Sequence, residues 1–184
     1  LVVARTDAAY AALVNSIAAR QVHRGYRALV WGVVGEDEGK LEGMIARSSG
    51  DRRRMTVVQK GGRTALTHFR VRARYHLVTD LDLKLETGRT HQIRVHWRHR
   101  GQPVFGDPEY GGRSRANLTG PEQATMRHWL SRIARQALHA CRLEFHHPRT
   151  GAPLQFEAPL PSDMAALYRA VESHAAVNSR RPGD

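Results

Sequence analysis

The chain has 184 residues, 41% of them hydrophobic, which is enough for one sizeable core within the usual single-domain range. Lys and Arg outnumber Asp and Glu by 29 to 17, for a formal net charge of +12 and a pI near 11.1. This charge exceeds what solubility requires, so a polyanionic partner is favoured over a merely well-solvated basic surface. Arginine dominates the basic set, and guanidinium groups grip phosphates or stack on bases, which favours a nucleic acid.

Several other classes of protein fit the composition poorly. The lone Cys141 cannot form an internal disulfide, which fits a reducing compartment. No run approaches the roughly 18 apolar residues of a membrane span, and the short Leu-Val-Val opening lacks the features of a signal peptide, so we predict a cytoplasmic protein with no membrane partner. The histidines follow no known metal-ligand pattern, and the carboxylates are too scattered for a metal-dependent nuclease, so we predict no metal. A monomer is the default.

The first third of the chain predicts a strand, a helix and further strands. LVVART is typical of a strand, and Thr6 can cap a helix with an apolar stripe formed by Tyr10, Leu13, Val14 and Ile17. GYRALVWGVV predicts a strand, whereas residues 40–60 are rich in Gly and Arg and have little periodicity, and SSGDRRRM within them predicts an exposed basic loop. Gly61-Gly62 between two strand-like runs indicates a hairpin.

The rest of the chain continues to alternate between strands and helices. Leu81, Leu83 and Leu85 alternate with charged residues, as in a half-buried strand. Met126, Leu130, Ile133 and Ala137 follow Pro121 at helical spacing. Two strands are predicted around a PRTG turn, and Ser162 can cap a last helix that carries Met164, Leu167, Tyr168 and Val171. We therefore predict one α+β domain over residues 1–174, followed by a flexible tail over 175–184.

The segment from Leu85 to Gly112 contains more turn, helix-cap and basic-residue signals than any other part of the sequence. Thr87-Gly88-Arg89-Thr90 predicts a turn, Thr90 is a candidate helix cap, and Gly101 is placed to end a helix that starts at about His91. Periodicity alone also allows a strand, because Ile93, Val95 and Trp97 alternate. The N-terminus of such a helix, with Arg89, His91 and Arg94 beside it, suits a phosphate or a carboxylate.

Two more groups of residues are candidates for this site. The glycine-containing turns of GQPVFGDPEYGG can bring Asp107 and Tyr110 back toward the helix, and we interpret both as structural, with Asp107 bonding backbone amides or an arginine. In RQVHRGYRALVWG, Arg24 and Tyr26 share one strand face with Arg20, Val22 and Ala28. This places a ring beside cations, as a pocket for a flat base and its phosphate needs, although a core tyrosine with a satisfied hydroxyl is the alternative.

Taken together, these segments resemble the RluA/RluD-like pseudouridine synthases. GRTHQIRVH with its continuation resembles the family's third motif, RQVHRGYRALVWG matches RxVxKxYxAxVxG with arginine for lysine, and RQALHACRLEFHHPRTGAPLQFEAPLPSDM resembles its C-terminal signature. The resemblance covers nearly all of residues 1–168. It implies an α+β fold with a mixed, largely antiparallel sheet flanked by helices, and isomerisation of uridine in RNA without a cofactor. It also implies Arg94 and Tyr26 as catalytic residues, and RNA contacts by Arg24, Arg89, Thr90, His91 and Gln92.

The family's nucleophilic aspartate lies in an HRLDxxTSG stretch that is expected immediately before Leu1, and the chain does not contain it. In the family, that aspartate attacks or otherwise activates C1′ of a flipped uridine, and the base is rejoined through C5. Arg94 is assigned to pair with the aspartate, and Tyr26 to stack on the base. Asp7 lies in the first turn of a helix, where Asp is a local charge complement, and is no substitute.

We therefore expect this chain alone to be inactive and its parent protein to be an enzyme, with ribosomal RNA favoured over transfer RNA. The alternative from another class is a non-catalytic RNA-binding or ribosome-assembly module.

Overall fold

A computed structural model describes residues 2–114, 118 and 120–178. Within this part the chain forms four helices and seven strands in the order α1 (Asp7–Ala18), β1 (His23–Trp31), β2 (Glu38–Arg47), β3 (Met55–Val58), β4 (Arg63–Arg74), β5 (Val78–Leu85), α2 (Gln92–His99), α3 (Gly120–Leu130), β6 (Leu138–His146), β7 (Pro153–Glu157) and α4 (Ser162–Asn178). No helix of these residues is long and apolar enough to cross a membrane.

The strands form one seven-stranded sheet in the order β3-β2-β4-β5-β1-β6-β7. Each pair of neighbours is antiparallel, with Tyr26 opposite Leu83 on one side of β1 and opposite Ala140 on the other. The α+β fold and the largely antiparallel sheet expected from the resemblance are confirmed.

The sheet buries a different hydrophobic cluster on each face, because successive side chains of a strand point to opposite sides. On the front face, Ala28 and Val30 of β1 pack with Ile93 and Trp97 of α2. On the back face, Leu29 and Trp31 pack with buried residues of α3 and α4, among them Trp129, Met164, Leu167, Tyr168 and Val171. The last helix and its buried residues are as the sequence predicted.

The region between residues 38 and 62 is more regular than the sequence predicted. Residues 40–47 belong to β2, and the loop of residues 48–54 separates β2 from β3. The apolar and polar residues of β2 do not alternate clearly in the sequence, because glycines stand at positions where apolar side chains are expected. At Gly39 there is no room for a side chain, since a Cβ would lie 2.9 Å from the Phe69 ring of the neighbouring strand. The hairpin predicted at Gly61-Gly62 is wrong, since β2 lies between β3 and β4 in the sheet.

The N-terminal segment also differs from the prediction. Residues 2–4 form no strand, because no neighbouring strand pairs with them within the described part of the chain. Thr6 caps α1 as predicted by accepting a hydrogen bond from the Ala9 amide. None of the residues of α1 is buried, and its apolar stripe is exposed except for the half-buried Leu13, with Tyr10 at 66% and Ile17 at 51%.

At the C-terminal end, α4 continues to Asn178. The tail predicted for residues 175–184 therefore begins inside a helix, and its last six residues, 179–184, lie outside the described part.

Candidate active site

The helix that follows β5 begins at a different residue from the one predicted. His91 is the N-cap, with a left-handed φ of 56°, and makes no capping side-chain hydrogen bond. Thr90 is therefore not the cap, although the predicted helix is present and Gly101, with φ of 81°, follows its last turn. Oε1 of Gln92 accepts a hydrogen bond from the amide of Arg89 at 3.0 Å, which closes the turn before the helix, while no side chain caps the helix itself.

Gln92 ties the turn between β5 and α2 to the neighbouring strand β4. Its side chain is 2% exposed, and its Oε1 also accepts a hydrogen bond from the Thr87 hydroxyl at 2.8 Å. Its Nε2 donates to the carbonyl of Leu66 at 2.9 Å and to the hydroxyl of Thr67 at 3.0 Å. With these four hydrogen bonds, both the oxygen and the nitrogen of the side-chain amide have two partners each. Gln92 therefore fixes the position of the turn relative to β4.

The guanidinium of Arg94 is buried in a network of carboxylates. Its Nε and Nη2 each donate to Asp107 at 2.7 Å, and Nη2 also donates to Glu109 at 2.7 Å. Asp107 is fully buried and accepts the backbone amides of Glu109 and Tyr110 as well. The prediction that Asp107 bonds backbone amides or a neighbouring arginine is confirmed for both kinds of partner.

Opposing effects set the ionisation of this pair. Burial raises the pKa of Asp107, but hydrogen bonds from Arg94 and from the two backbone amides outweigh it, so the net pKa lies below its usual value. Burial acts to lower the pKa of Arg94, and the hydrogen bond to Asp107 reverses this effect, so the net pKa is raised. Both groups are therefore charged at neutral pH.

Tyr110 connects this network to His91. Its hydroxyl accepts the backbone N–H of Met55 at 2.9 Å and lies 2.9 Å from Nδ1 of His91. The guanidinium carbon of Arg94 lies 4.7 Å from the centre of the Tyr110 ring. Because the hydroxyl already accepts the Met55 amide, its own proton can go to Nδ1, and Nε2 of His91 then carries the ring proton as a donor for a ligand.

Arg24 and Tyr26 lie on the front face of β1 and line a cavity of about 510 Å³. The cavity walls are mainly apolar, with Val2, Ile17, Val22, Ala140, Leu143, Phe145 and Phe156 among its lining residues. Tyr26 is half-buried, and burial raises the pKa of its hydroxyl against a smaller opposite effect of Arg24. The cavity thus combines an aromatic ring with a cation and apolar walls.

The guanidinium of Arg24 lies against the turn that Gln92 supports. A Cβ placed on Gly88 would lie 2.5 Å from Nη1 of Arg24, so this close approach depends on a glycine. Nε of Arg24 is buried and has no hydrogen-bond partner among the described residues. A buried donor without a partner is costly, and a ligand oxygen in the cavity would satisfy it.

Further cations surround the turn. Burial, followed by repulsion from Arg63 and Arg20, lowers the pKa of Arg89, whose Nε donates to the carbonyl of Thr64 at 3.0 Å. Thr90 is exposed beside it. Several guanidinium groups are thus held close enough to disfavour one another, which a polyanion would relieve.

The predicted site residues therefore fall into two neighbouring groups. Arg24 and Tyr26 lie at the cavity beside the turn of Arg89 and Thr90, whereas Arg94 lies with Asp107 and Tyr110. No hydrogen bond, ion pair or ring contact joins Arg94 to Tyr26 within the described residues. Both groups border α2, because Ile93 packs in the same front-face cluster as Tyr26.

Two features of the site had no clear signal in the sequence. The role of Glu109 as a second partner of Arg94 depends on a loop conformation that local patterns do not define. The contact of Gly88 with Arg24 joins residues more than sixty positions apart. In the sequence, only the glycine of the TGRT turn indicates that another group approaches the backbone there.

Comparison with known proteins identifies the family of the chain. Residues 1–99 match the family model described as RNA pseudouridylate synthase. The chain is 44% identical over 167 residues to an uncharacterized RNA pseudouridine synthase, YlyB, of Bacillus subtilis, covering 91% of this chain and 50% of that protein. It is 45% identical over 178 residues to ribosomal large subunit pseudouridine synthase D of Xanthomonas campestris, covering 96% and 52%.

Among solved structures, human RNA pseudouridylate synthase domain containing 1 superposes with a TM-score of 0.69 at 24% identity, over 98% of this chain and 75% of that one. This likeness concerns the fold. The chain spans about half the length of the curated relatives it matches. With the matched family model, the motifs and the sheet in agreement, the chain belongs to the RluA/RluD-like RNA pseudouridine synthase family.

Proposed function

We propose that this chain is part of the catalytic domain of an enzyme that isomerises uridine to pseudouridine in large-subunit ribosomal RNA. The observation that carries the proposal is the cavity lined by Tyr26 and Arg24 beside a turn rich in cations. The choice of RNA rests on the relatives that are named ribosomal large subunit pseudouridine synthase D. A strongly basic chain supports the same class of partner.

In this proposal the cavity holds the flipped uracil. Tyr26 stacks on the base and takes part in removal of the C5 proton, and the apolar walls exclude water. Flipping costs a few kcal/mol of unstacking, which stacking and phosphate contacts offset. Nε of Arg24, buried without a partner among the described residues, donates to an oxygen of the bound nucleotide. No cofactor is needed for this chemistry.

The turn before α2 makes the contacts to the RNA backbone. Arg89, Thr90 and His91 are at least partly exposed there and carry donors that suit phosphate oxygens. Gln92, also assigned to RNA binding by resemblance, acts differently in this proposal. Since its amide is buried and fully hydrogen-bonded, it supports RNA binding by fixing the turn.

Arg94 partners the nucleophilic aspartate, which we propose is supplied by the part of the longer protein that precedes Leu1. Asp107 fixes the plane of the guanidinium through two hydrogen bonds. Glu109 is the partner of Arg94 that another carboxylate can displace, because its side chain is 49% exposed. An incoming aspartate can therefore share the guanidinium by replacing Glu109, which would keep that aspartate ionised at neutral pH.

Without that aspartate, we expect the 184-residue chain to have no isomerase activity. Asp7 is exposed in the first turn of α1. Glu157 is the one carboxylate that lines the cavity among the described residues, and it is exposed and accepts a hydrogen bond from Gln155 at 3.1 Å. Neither forms an ion pair within the described part, and Arg142, which lies opposite Glu157 on the neighbouring strand, pairs with Glu144 and Gln155 instead.

The test measures pseudouridine formation in large-subunit ribosomal RNA transcripts by mass spectrometry. We expect the longer protein to be active and the 184-residue chain to be inactive. In the longer protein, Tyr26→Leu should lower turnover by a factor of roughly a hundred or more. Tyr26→Phe should retain RNA affinity and lose turnover. Tyr10→Leu removes an equally large but exposed ring of α1 and serves as the matched control, with turnover unchanged.

Two results would contradict the proposal. Turnover by the 184-residue chain would show that the nucleophile lies within it, and Glu157→Gln would then identify Glu157 as the candidate. RNA binding by the longer protein without any turnover would favour a non-catalytic RNA-binding or ribosome-assembly module.

A further inference from the structure

A second basic surface lies between α3 and α4. The two helices line a groove of about 630 Å³. Its lining combines alanine and hydroxyl side chains and Trp129 with four basic residues, which are His128, Arg132, Arg169 and His174. All ionisable side chains of this lining are Arg or His.

The carboxylates near the groove are engaged elsewhere. Glu122 of α3 pairs with His76 at 2.7 Å, and Asp163 of α4 pairs with Arg135 at 2.9 Å. Burial and, after it, the charge of Glu172 raise the pKa of Tyr75, so the Glu172 carboxylate lies near Tyr75. Within the part of the chain that the structure describes, neither arginine of the groove forms an ion pair with a carboxylate. Among the described residues, the guanidinium groups of Arg132 and Arg169 therefore have no carboxylate partner, and Nη2 of Arg132 lies 3.4 Å from Nε2 of His128.

The groove lies on the opposite side of the sheet from the candidate active site. Arg24, Tyr26 and Ala28 of β1 point to the front face, where α2 packs. Arg27 and Leu29 point to the back face, where the guanidinium of Arg27 stacks 4.1 Å from the Tyr168 ring of α4. One RNA segment in the cavity cannot also fill the groove without passing around an edge of the sheet.

The chemistry of the groove fits a phosphate better than a base. Trp129 is 1% exposed and makes T-shaped ring contacts with His174 and Phe105, so its buried ring offers no free face on which a base could stack. Alanine and serine side chains leave room for a sugar–phosphate backbone to approach. Two guanidinium groups at the rim can each grip a phosphate with paired hydrogen bonds.

We propose that the α3–α4 groove binds backbone phosphates of the RNA at a distance from the modified uridine. This proposal rests on the proposed function, because it takes the partner to be the substrate RNA. It assigns Arg132 and Arg169 as the principal contacts. The groove extends the RNA footprint to the back of the sheet, so that a long folded RNA binds more tightly than a short hairpin that fills only the front cavity.

The experiment measures the affinity of the longer protein for two probes over a range of KCl concentrations. One probe is a large-subunit ribosomal RNA fragment that contains the modified stem–loop, and the other is that stem–loop alone. The test variant is R132Q/R169Q, because Gln is a long polar side chain without charge and has a good helix propensity at position 169 of α4, while Arg132 lies in the turn after α3. The control R52Q/R149Q removes two exposed arginines that line neither the groove nor the Tyr26 cavity. R132K/R169K retains the charge.

We expect R132Q/R169Q to weaken binding of the long fragment roughly tenfold and to lower its salt slope by about 1.4–1.8, the contribution of two phosphate contacts. Binding of the hairpin should be unchanged, R132K/R169K should retain most of the affinity, and the control should have a smaller effect. Circular dichroism melting shows whether each variant is folded. If R132Q/R169Q is unfolded, the comparison of R132K/R169K with a single R169Q variant serves the same purpose.

Several outcomes would overturn the proposal. The long fragment could bind R132Q/R169Q as tightly as the wild type, or the control could weaken binding equally. Competition by millimolar inorganic phosphate without any dependence on RNA length would indicate a small-anion site. Groove-dependent binding of polyglutamate, with RNA binding unaffected, would indicate an acidic protein partner. Failure of the proposed function is distinguishable from all of these, because it would appear as a lack of pseudouridine formation by the unmodified longer protein.

Discussion

Replacing Asp107 with Asn removes the charge that balances the guanidinium of Arg94 while nearly preserving shape. The Asp107 carboxylate is fully buried, and the side chain of Arg94 is 9% exposed. Loss of one partner from a buried ion pair costs about 3–5 kcal/mol. The remaining contact with Glu109 at 2.7 Å and the two backbone amides that Asn can still accept favour the lower end of that range.

We therefore expect Asp107→Asn to lower the free energy of unfolding by about 3 kcal/mol. For a chain of this size, such a loss lowers the melting temperature by about 6–12 °C. Urea unfolding followed by tryptophan fluorescence provides the measurement. Glu109→Gln is the matched control and should cost less than about 1 kcal/mol, because Glu109 is half-exposed and its ion pair is screened by solvent.

The pH dependence adds a second signature. Because the pKa of Asp107 is lowered in the folded state, its stabilisation is complete above the unfolded pKa of about 3.9 and is lost as the pH falls through the folded pKa. The Asn variant should lack this part of the acid destabilisation. An Asn variant within about 1 kcal/mol of the wild type, or a larger loss for Glu109→Gln, would refute the assigned role of the pair.

Three further predictions follow from neighbouring contacts. Gly88→Ala should displace the flexible end of Arg24 and weaken RNA binding several-fold in a fluorescence anisotropy titration, with a loss of stability below about 1 kcal/mol. The control is Gly35→Ala, because a Cβ at Gly35 meets nothing within 4 Å. Equal RNA affinities of the two variants would contradict the role of Arg24. Gln92→Ala should cost about 2–4 kcal/mol in urea unfolding, because it leaves buried partners unsatisfied; a loss below about 1 kcal/mol would show that the turn does not depend on the amide. Burial lowers the pKa of His96 to about 4, so stability should fall by at most about 3 kcal/mol as the pH drops from about 6.5 toward 4; a His96→Gln variant should show a flatter profile over that window, and an identical profile would refute the assignment.

Much of the fold was predictable because short-range patterns decide it. The alternating leucines of β5 and the apolar stripe of α4 define which face is buried regardless of the rest of the chain. In contrast, β2 was not predicted as a strand, because Gly39 and Gly43 stand where alternating apolar side chains are expected on one face of the strand. They do so because the side chains of Phe69 and Val57 on the neighbouring strands fill that space.

The site was predictable to the extent that its motifs are local. The TGRT turn and the helix after it were identified from the sequence, whereas the N-cap was assigned one residue too early. No side chain caps the helix, and the turn before it is held by Gln92, whose amide reaches both the turn and β4 in a contact that only the tertiary structure shows. The partners of Arg94 lie thirteen and fifteen residues further along the chain, in a loop whose conformation determines which carboxylate reaches it.

The most direct test of the central claim is a map of pseudouridine in large-subunit ribosomal RNA from cells that lack the full-length gene. We expect one or more pseudouridines to be lost, to return with the wild-type gene, and to remain absent with Arg94→Ala or Tyr26→Leu. An unchanged map, or full restoration by both variants, would contradict the claim that these two side chains serve uridine isomerisation.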